Sequence, residues 1–193
     1  MLRSLYDWTM GLAGHRHATW GLALVSFVES SVFPIPPDLL LMPMVLAARE
    51  RAWRIAAVCT AASVLGGAVG YAIGFFLFAA VGEPLLAFYG YDEDFARFQG
   101  MYNEHGGWIV FGAGLTPFPY KVITITSGVT HLDVVTFIVA SLLARGARFF
   151  LVTALLWYFG AAIRAFIERW LGLLTVLFFA LLLGGFIAIR YVF

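Results

Sequence analysis

Residues 55–81 read IAAVCTAASVLGGAVGYAIGFFLFAAV, without one charged side chain. A helix rises about 1.5 Å per residue and a bilayer's hydrocarbon core is about 30 Å thick, so about 20 apolar residues cross it. This run is long enough to do so, and it predicts a membrane span. The rest of the chain agrees, being 62% hydrophobic and 12% charged, against about 45–50% and about 25% for soluble domains. That composition excludes a soluble enzyme and a disordered chain. A net charge of +1 without a clustered basic face excludes nucleic acid as a partner. The single cysteine, Cys59, rules out a disulfide framework, and His15, His17, His105 and His131 lack metal-ligand spacing. No metal and no cofactor is expected.

Residues 171–189 are also free of charge and predict a second span over 171–190. Residues 134–163 predict a third, although Arg145 and Arg148 sit near its middle. Residues 1–16 place Leu2, Leu5, Tyr6, Thr9 and Leu12 on one stripe, the pattern of an interfacial helix, with a frayed tail as the alternative. Residues 92–105 predict a surface helix with Phe95, Phe98 and Tyr102 on its apolar face and Gly106 at its end.

Two further stretches are apolar but broken. Residues 18–48 contain Pro34, Pro36 and Pro37 at their centre, and residues 107–130 contain Pro117 and Pro119. Proline lacks an N–H and clashes with the preceding turn, so neither stretch can be one continuous helix. Backbone freed of its hydrogen bonds at membrane depth must be buried in protein or line a wet cavity. Both stretches are therefore expected to be re-entrant hairpins, kinked spanning helices being the alternative. The expected fold is all-α, a single membrane domain over 1–193. It has two oppositely oriented re-entrant hairpins and three full spans arranged as an inverted repeat. Arg49, Arg51, Arg54, Arg164 and Arg169 mark the cytoplasmic side, and the acidic stretch 82–105 marks the outside. Arg3 and Arg16 then put the N-terminus in the cytoplasm.

A charge at the centre of a bilayer costs about 2.5–3.5 kcal/mol on insertion scales, so ionisable residues at depth are functional candidates. Glu29 and Asp38 flank the first break, Lys121 follows the second, and Arg145 and Arg148 lie three apart on one helical face. Three cations in one wet pocket suit an anionic head group: arginine offers a planar fork to phosphate and lysine a compact charge. Thr116 and Ser127 add hydroxyls near the second break, as do Thr124 and Thr126. Glu29 and Asp38, desolvated when such a pocket closes, are candidates for proton coupling. The alternative is that the charges are internal pairs holding the hairpins, for example Glu29 with Arg148. Gly66, Gly67, Gly70 and Gly74 form a small-residue face that admits a close helix, with homodimerisation as the competing use. Ile125-Thr-Ser-Gly128 lacks the leading glycine of an intramembrane serine protease motif, and no histidine lies at depth for a lipid phosphatase. An enzyme is not expected.

The segments F27-V-E-S-S-V-F-P-I-P-P-D38, G66-G-A-V-G-Y-A-I-G74, G114-L-T-P-F-P-Y-K-V-I-T-I-T-S-G128 and A144-R-G-A-R-F-F150 resemble the DedA family, also called SNARE-associated or VTT-domain membrane proteins. They are similar in particular to its small YqaA-type branch. The resemblance implies oppositely oriented re-entrant hairpins and a multi-pass protein of the bacterial inner membrane. It also implies translocation of a phosphate-bearing lipid, such as undecaprenyl phosphate or a phospholipid, driven by the proton motive force. The family's two acidic positions fall on Glu29 and Asp38. Its basic motif, R-F-x-P-x-x-R, departs here: Gly114 and Tyr120 stand at its arginines, and Lys121 is the nearest cation. The resulting expectation is a transporter moving a phosphate-bearing lipid. A proton- or cation-coupled antiporter and a non-transporting membrane organiser are the alternatives.

Overall fold

The computed structural model describes residues 18–33, 36–116, 118–160 and 162. The expected interfacial helix 1–16, the expected span 171–190, and Pro34 and Pro117 lie outside the described residues. Every regular element among those described is helical. In chain order they are α1 (Ala18–Ser31), α2 (Asp38–Ala47), a short 3-10 turn (Arg49–Arg51), α3 (Ala52–Leu77), a π turn (Phe78–Gly82), α4 (Glu83–Tyr89), α5 (Asp92–Leu115), α6 (Tyr120–Val129) and α7 (Val134–Gly160).

Two helical runs are long and apolar enough to cross a membrane, Arg49–Tyr89 and Val134–Gly160. The first contains the expected span 55–81 but continues past it for 41 residues in all. At 1.5 Å per residue that is about 60 Å, twice the hydrocarbon thickness. The π turn marks the transition. Pro84 has no N–H to continue the α ladder, and the Glu83 N–H reaches back five residues to the Phe78 carbonyl. Gly90, at φ 72°, then ends α4, and the Tyr91 N–H closes on the Leu86 carbonyl at 3.1 Å.

The expected end at Gly106 does not occur. α5 runs unbroken from Asp92 to Leu115, joining the expected surface helix to the first arm of the second broken segment. Gly106 serves close packing, because a Cβ there would lie 2.4 Å from Leu132 Cδ1. Both proline-centred breaks are present, between α1 and α2 and between α5 and α6. Pro36 and Pro37 accept the first N–H groups of α2, and Pro119, in an extended conformation, precedes α6.

α3 is the central element. A Cβ on Gly66 would sit 2.1 Å from the Phe27 carbonyl oxygen of α1, and one on Gly74 would sit 2.1 Å from that of Ile125 in α6. Gly128 of α6 lies as close to Tyr71 of α3. The glycine face is thus filled from within the chain by α1 and α6. Two apolar clusters flank this seam. One joins Leu22, Leu41, Val45, Ile55, Phe149 and Leu156, and the other joins Tyr102, Val110, Tyr120, Ile123 and Phe137. α7 contributes to both, and its arginines lie between them in sequence.

α7 begins on a side-chain cap. Asp133 Oδ1 accepts the Thr136 N–H and the Thr136 hydroxyl, each at 2.8 Å. These bonds, the backbone one foremost, hold the exposed Asp133 carboxyl below its ordinary value. His131 lies in the loop between α6 and α7. It occupies the left-handed position after α6 (φ 55°), where its N–H and that of Leu132 satisfy the Gly128 and Ser127 carbonyls, and its ring packs on Phe75.

Candidate functional site: two ion pairs at the helix breaks

The five ionisable residues singled out from the sequence sort into two unequal pairs and one lysine. Glu29 ends up opposite Arg145, not Arg148. Arg145 Nη2 donates to Glu29 Oε2 at 2.6 Å, and its Nε donates to Ser63 Oγ at 2.6 Å. Ser63 and Ser30 share a hydrogen bond of 2.7 Å, and Ser30 donates to Glu29 Oε2 at 3.1 Å, which closes a ring of four polar side chains. The guanidinium carbon lies 4.8 Å from the Tyr120 ring and 4.7 Å from the Phe149 ring. Arg145 is 1% exposed. Its charge is met by a carboxylate, a hydroxyl and two aromatic faces, which is what a buried arginine requires.

The second pair is open. Arg148 Nη2 meets Asp38 Oδ2 at 2.5 Å, and the two side chains are 19% and 16% exposed. Arg148 Nη1 also donates to the Thr116 carbonyl at 2.8 Å. The other Asp38 oxygen, Oδ1, is buried and has no hydrogen-bond partner among the described residues. Lys121 Nζ donates to the Val32 carbonyl at 3.0 Å. Thr124 Oγ1, one turn further along α6, donates to the Ser30 carbonyl at 3.0 Å.

These bonds have a common logic. A helix break leaves carbonyls without partners. Here the end of α1 is satisfied by Lys121 and Thr124 of α6, and the end of α5 by Arg148 of α7. The two breaks, far apart in sequence, are fastened to each other and to α7 by cations. Of Arg148's five N–H donors and Lys121's three, the protein bonds named here use two and one respectively. Both side chains are half-buried, and Arg148 lies beside Asp38 and Thr116.

The candidate residues do not all gather there. Thr116 is exposed at the second break, where its carbonyl is the polar group in use. Ser127 is buried further along α6 and hydrogen-bonds Tyr102 Oη at 3.0 Å, away from the cations. Sequence reasoning missed Ser63, Ser30 and the Tyr120 ring. A signal for Ser63 existed: it lies on the same helical stripe as Gly66, Gly67, Gly70 and Gly74. Tyr120 is anchored by its hydroxyl, 2.5 Å from Ser141 Oγ of α7.

Long apolar helices, broken helices between them and ion pairs joined at the breaks define a membrane protein that is all-helical among the described residues. The chain belongs to the VTT-domain family, the DedA-type membrane proteins, whose family model matches residues 35–158. The matched region contains Asp38, Lys121, Arg145 and Arg148, while Glu29 precedes it. The chain is 40% identical over 152 residues to an uncharacterised protein of Haemophilus influenzae, covering 79% of each. It is 39% identical, over the same length and share, to an uncharacterised protein of Histophilus somni. No solved structure matches it. The family consists of membrane proteins proposed as transporters or flippases and is not a known enzyme family.

Proposed function

We propose that the chain translocates a phosphate-bearing lipid across the bacterial inner membrane, with the head group passing between the two helix breaks while the tail stays in the bilayer. Lys121 and Arg148 hold the phosphate. Glu29 and Asp38 are the carboxylates available to carry protons if transport is proton-coupled. The two broken segments act as oppositely oriented re-entrant hairpins. The observation that carries this reading is the pair of half-buried cations, Lys121 and Arg148, each bonded to a break carbonyl and each with donors that have no partner among the described residues. Broken helices that meet around charged side chains are the usual construction of a transporter's central site.

Arg145, matched to a substrate role from the sequence alone, is better suited to holding the site together, since its ring of partners leaves little of it free. That same sealed pair favours the organiser reading for Glu29 and Arg145, though not for Lys121 and Arg148. The test is reconstitution in liposomes with labelled undecaprenyl phosphate and, separately, a labelled phospholipid. Wild type is expected to move the phosphate-bearing lipid, and Lys121→Ala and Arg148→Ala are expected to abolish movement while remaining folded. Normal transport by both variants sinks the site assignment. Transport of a soluble ion without either lipid moves the function to the antiporter.

A further inference from the structure

We infer that Asp38 is a built-in competitor for the phosphate site, so that head-group binding itself unfastens the two helix breaks. The inference rests on the proposed binding of phosphate by Lys121 and Arg148 and adds what regulates that site. Two ion pairs lie close together, and only one is built to last. Glu29 Oε2 is shared by Arg145 and Ser30, and Arg145 is further held by Ser63 and two rings. Asp38 has one oxygen on Arg148 and the other buried without a partner among the described residues. A buried acceptor left unmet is a standing cost that the closed arrangement carries.

An incoming phosphate offers Arg148 the same planar, doubly accepted geometry as a carboxylate, with an additional oxygen for Lys121. The three bonds it displaces are the cation bonds that tie the breaks together, with the buried Thr124–Ser30 bond left in place as a hinge: Arg148 to Asp38 at the start of α2, Arg148 to the Thr116 carbonyl after α5, and Lys121 to the Val32 carbonyl after α1. The Glu29–Arg145 ring is untouched by this exchange and keeps α1 on α7. Occupancy of the site and separation of the breaks are therefore the same event. In the empty protein the Asp38 carboxylate takes the anion's place and restores the fastening, which also drives release.

The prediction concerns affinity. Purified full-length protein in detergent is titrated calorimetrically with dioctanoyl phosphatidate and, in parallel, with inorganic phosphate. Asp38→Asn removes the competing charge, and Asp38→Ser does so with a smaller group should the asparagine variant fail to fold. Either is expected to bind phosphatidate at least tenfold more tightly than wild type, whereas Asp38→Glu stays near wild type. Lys121→Gln is expected to weaken binding in both backgrounds. Spin labels on Phe33→Cys and Leu115→Cys, exposed beside the two breaks, should report a longer and broader distance once phosphatidate is bound. Equal or weaker binding by both neutral variants overturns the competition, as does a distance that phosphatidate leaves unchanged. Absence of binding to every form overturns the function reading and the inference with it. Inorganic phosphate bound as tightly as phosphatidate supports the competition but moves the function to a soluble anion.

Discussion

Arg145 and Arg148 are one helical turn apart and chemically identical, yet replacing each with methionine should give opposite results. Arg145 is 1% exposed and its partner Glu29 is 9% exposed. Removing the guanidinium leaves a buried carboxylate with Ser30 as its remaining hydrogen-bond donor. Breaking a buried pair in this way costs about 3–5 kcal/mol. For chains of this size, each kcal/mol shifts the melting temperature by about 2–4 °C, so Arg145→Met should melt roughly 6–20 °C below wild type. Arg148 sits at the accessible end of the site, where water can reach Asp38 once the arginine is gone. Its loss should cost about 1 kcal/mol, or about 2–4 °C. The double variant Glu29→Leu/Arg145→Leu removes both buried charges and leaves Ser30 and Ser63 bonded to each other. It should therefore be more stable than either single leucine variant, since a buried pair replaced by apolar side chains is often neutral. Thermal unfolding in detergent, followed by loss of the monodisperse chromatographic peak, measures all of these. Two results would refute the reasoning: an Arg145→Met variant as stable as Arg148→Met, or a double variant no better than the singles. In transport, the stable Arg148→Met should be inactive.

Alanine at Gly66, Gly74 or Gly128 drives a Cβ into a neighbouring backbone carbonyl and should destabilise by about 1–3 kcal/mol or more, read as a lowered melting temperature. Gly21→Ala meets nothing within 4 Å and should instead stabilise by about 0.5–1 kcal/mol; a uniform response across the four would contradict the close approach at α3. Tyr120→Phe loses the hydrogen bond to Ser141, about 1 kcal/mol, while Tyr120→Leu also loses the face beneath Arg145 and should melt distinctly lower in the same assay. Asp133 has a depressed folded-state pKa, so its capping contribution is present above the ordinary value of 3.8 and is lost as pH falls through the folded value. The melting temperatures of wild type and Asp133→Ala should accordingly differ at pH 7 and converge as the pH is lowered below about 4; a difference independent of pH would remove the carboxylate from the explanation.

What the sequence carried well was whatever depends on local chemistry. A proline cannot continue a helix, so the breaks around Pro36–Pro37 and Pro119 were legible residue by residue. A long run without charge is apolar in any register, so the span beginning at residue 55 was legible too. The glycine face of α3 was readable as a place of close approach, but not as the seat of α1 and α6, because composition does not name a partner. Helix ends were less secure: Gly106 looks like a terminator in isolation, and the Leu132 side chain that packs against it comes from the loop before α7. The pairing of the charges was the least legible feature. Residues three apart on a helix differ by about 60° around its axis and about 4.5 Å along it. Whether Glu29 meets Arg145 or Arg148 therefore turns on a small rotation of α7, fixed by contacts such as Tyr120 with Ser141 that join distant parts of the chain.

The same geometry explains why the cations sit where they do. In a membrane, a break in a helix exposes carbonyls that lipid cannot satisfy, and a cation nearby is itself costly without acceptors. Each defect is the remedy for the other. Lys121 satisfies the end of α1, and Arg148 the end of α5, and in return the carbonyls give the cations acceptors. A lock made in this way can be opened by any anion that suits the cations better than a carbonyl does, provided the protein does not seal the charges off. Arg145, inside its ring of serines, carboxylate and aromatic faces, is sealed. Arg148, held by a carboxylate with one oxygen unmet, is not. The division of labour between two arginines of one helix thus comes down to how deeply each is buried: the sealed one fixes the structure, and the accessible one is, under the proposed function, the one free to exchange partners with an anion.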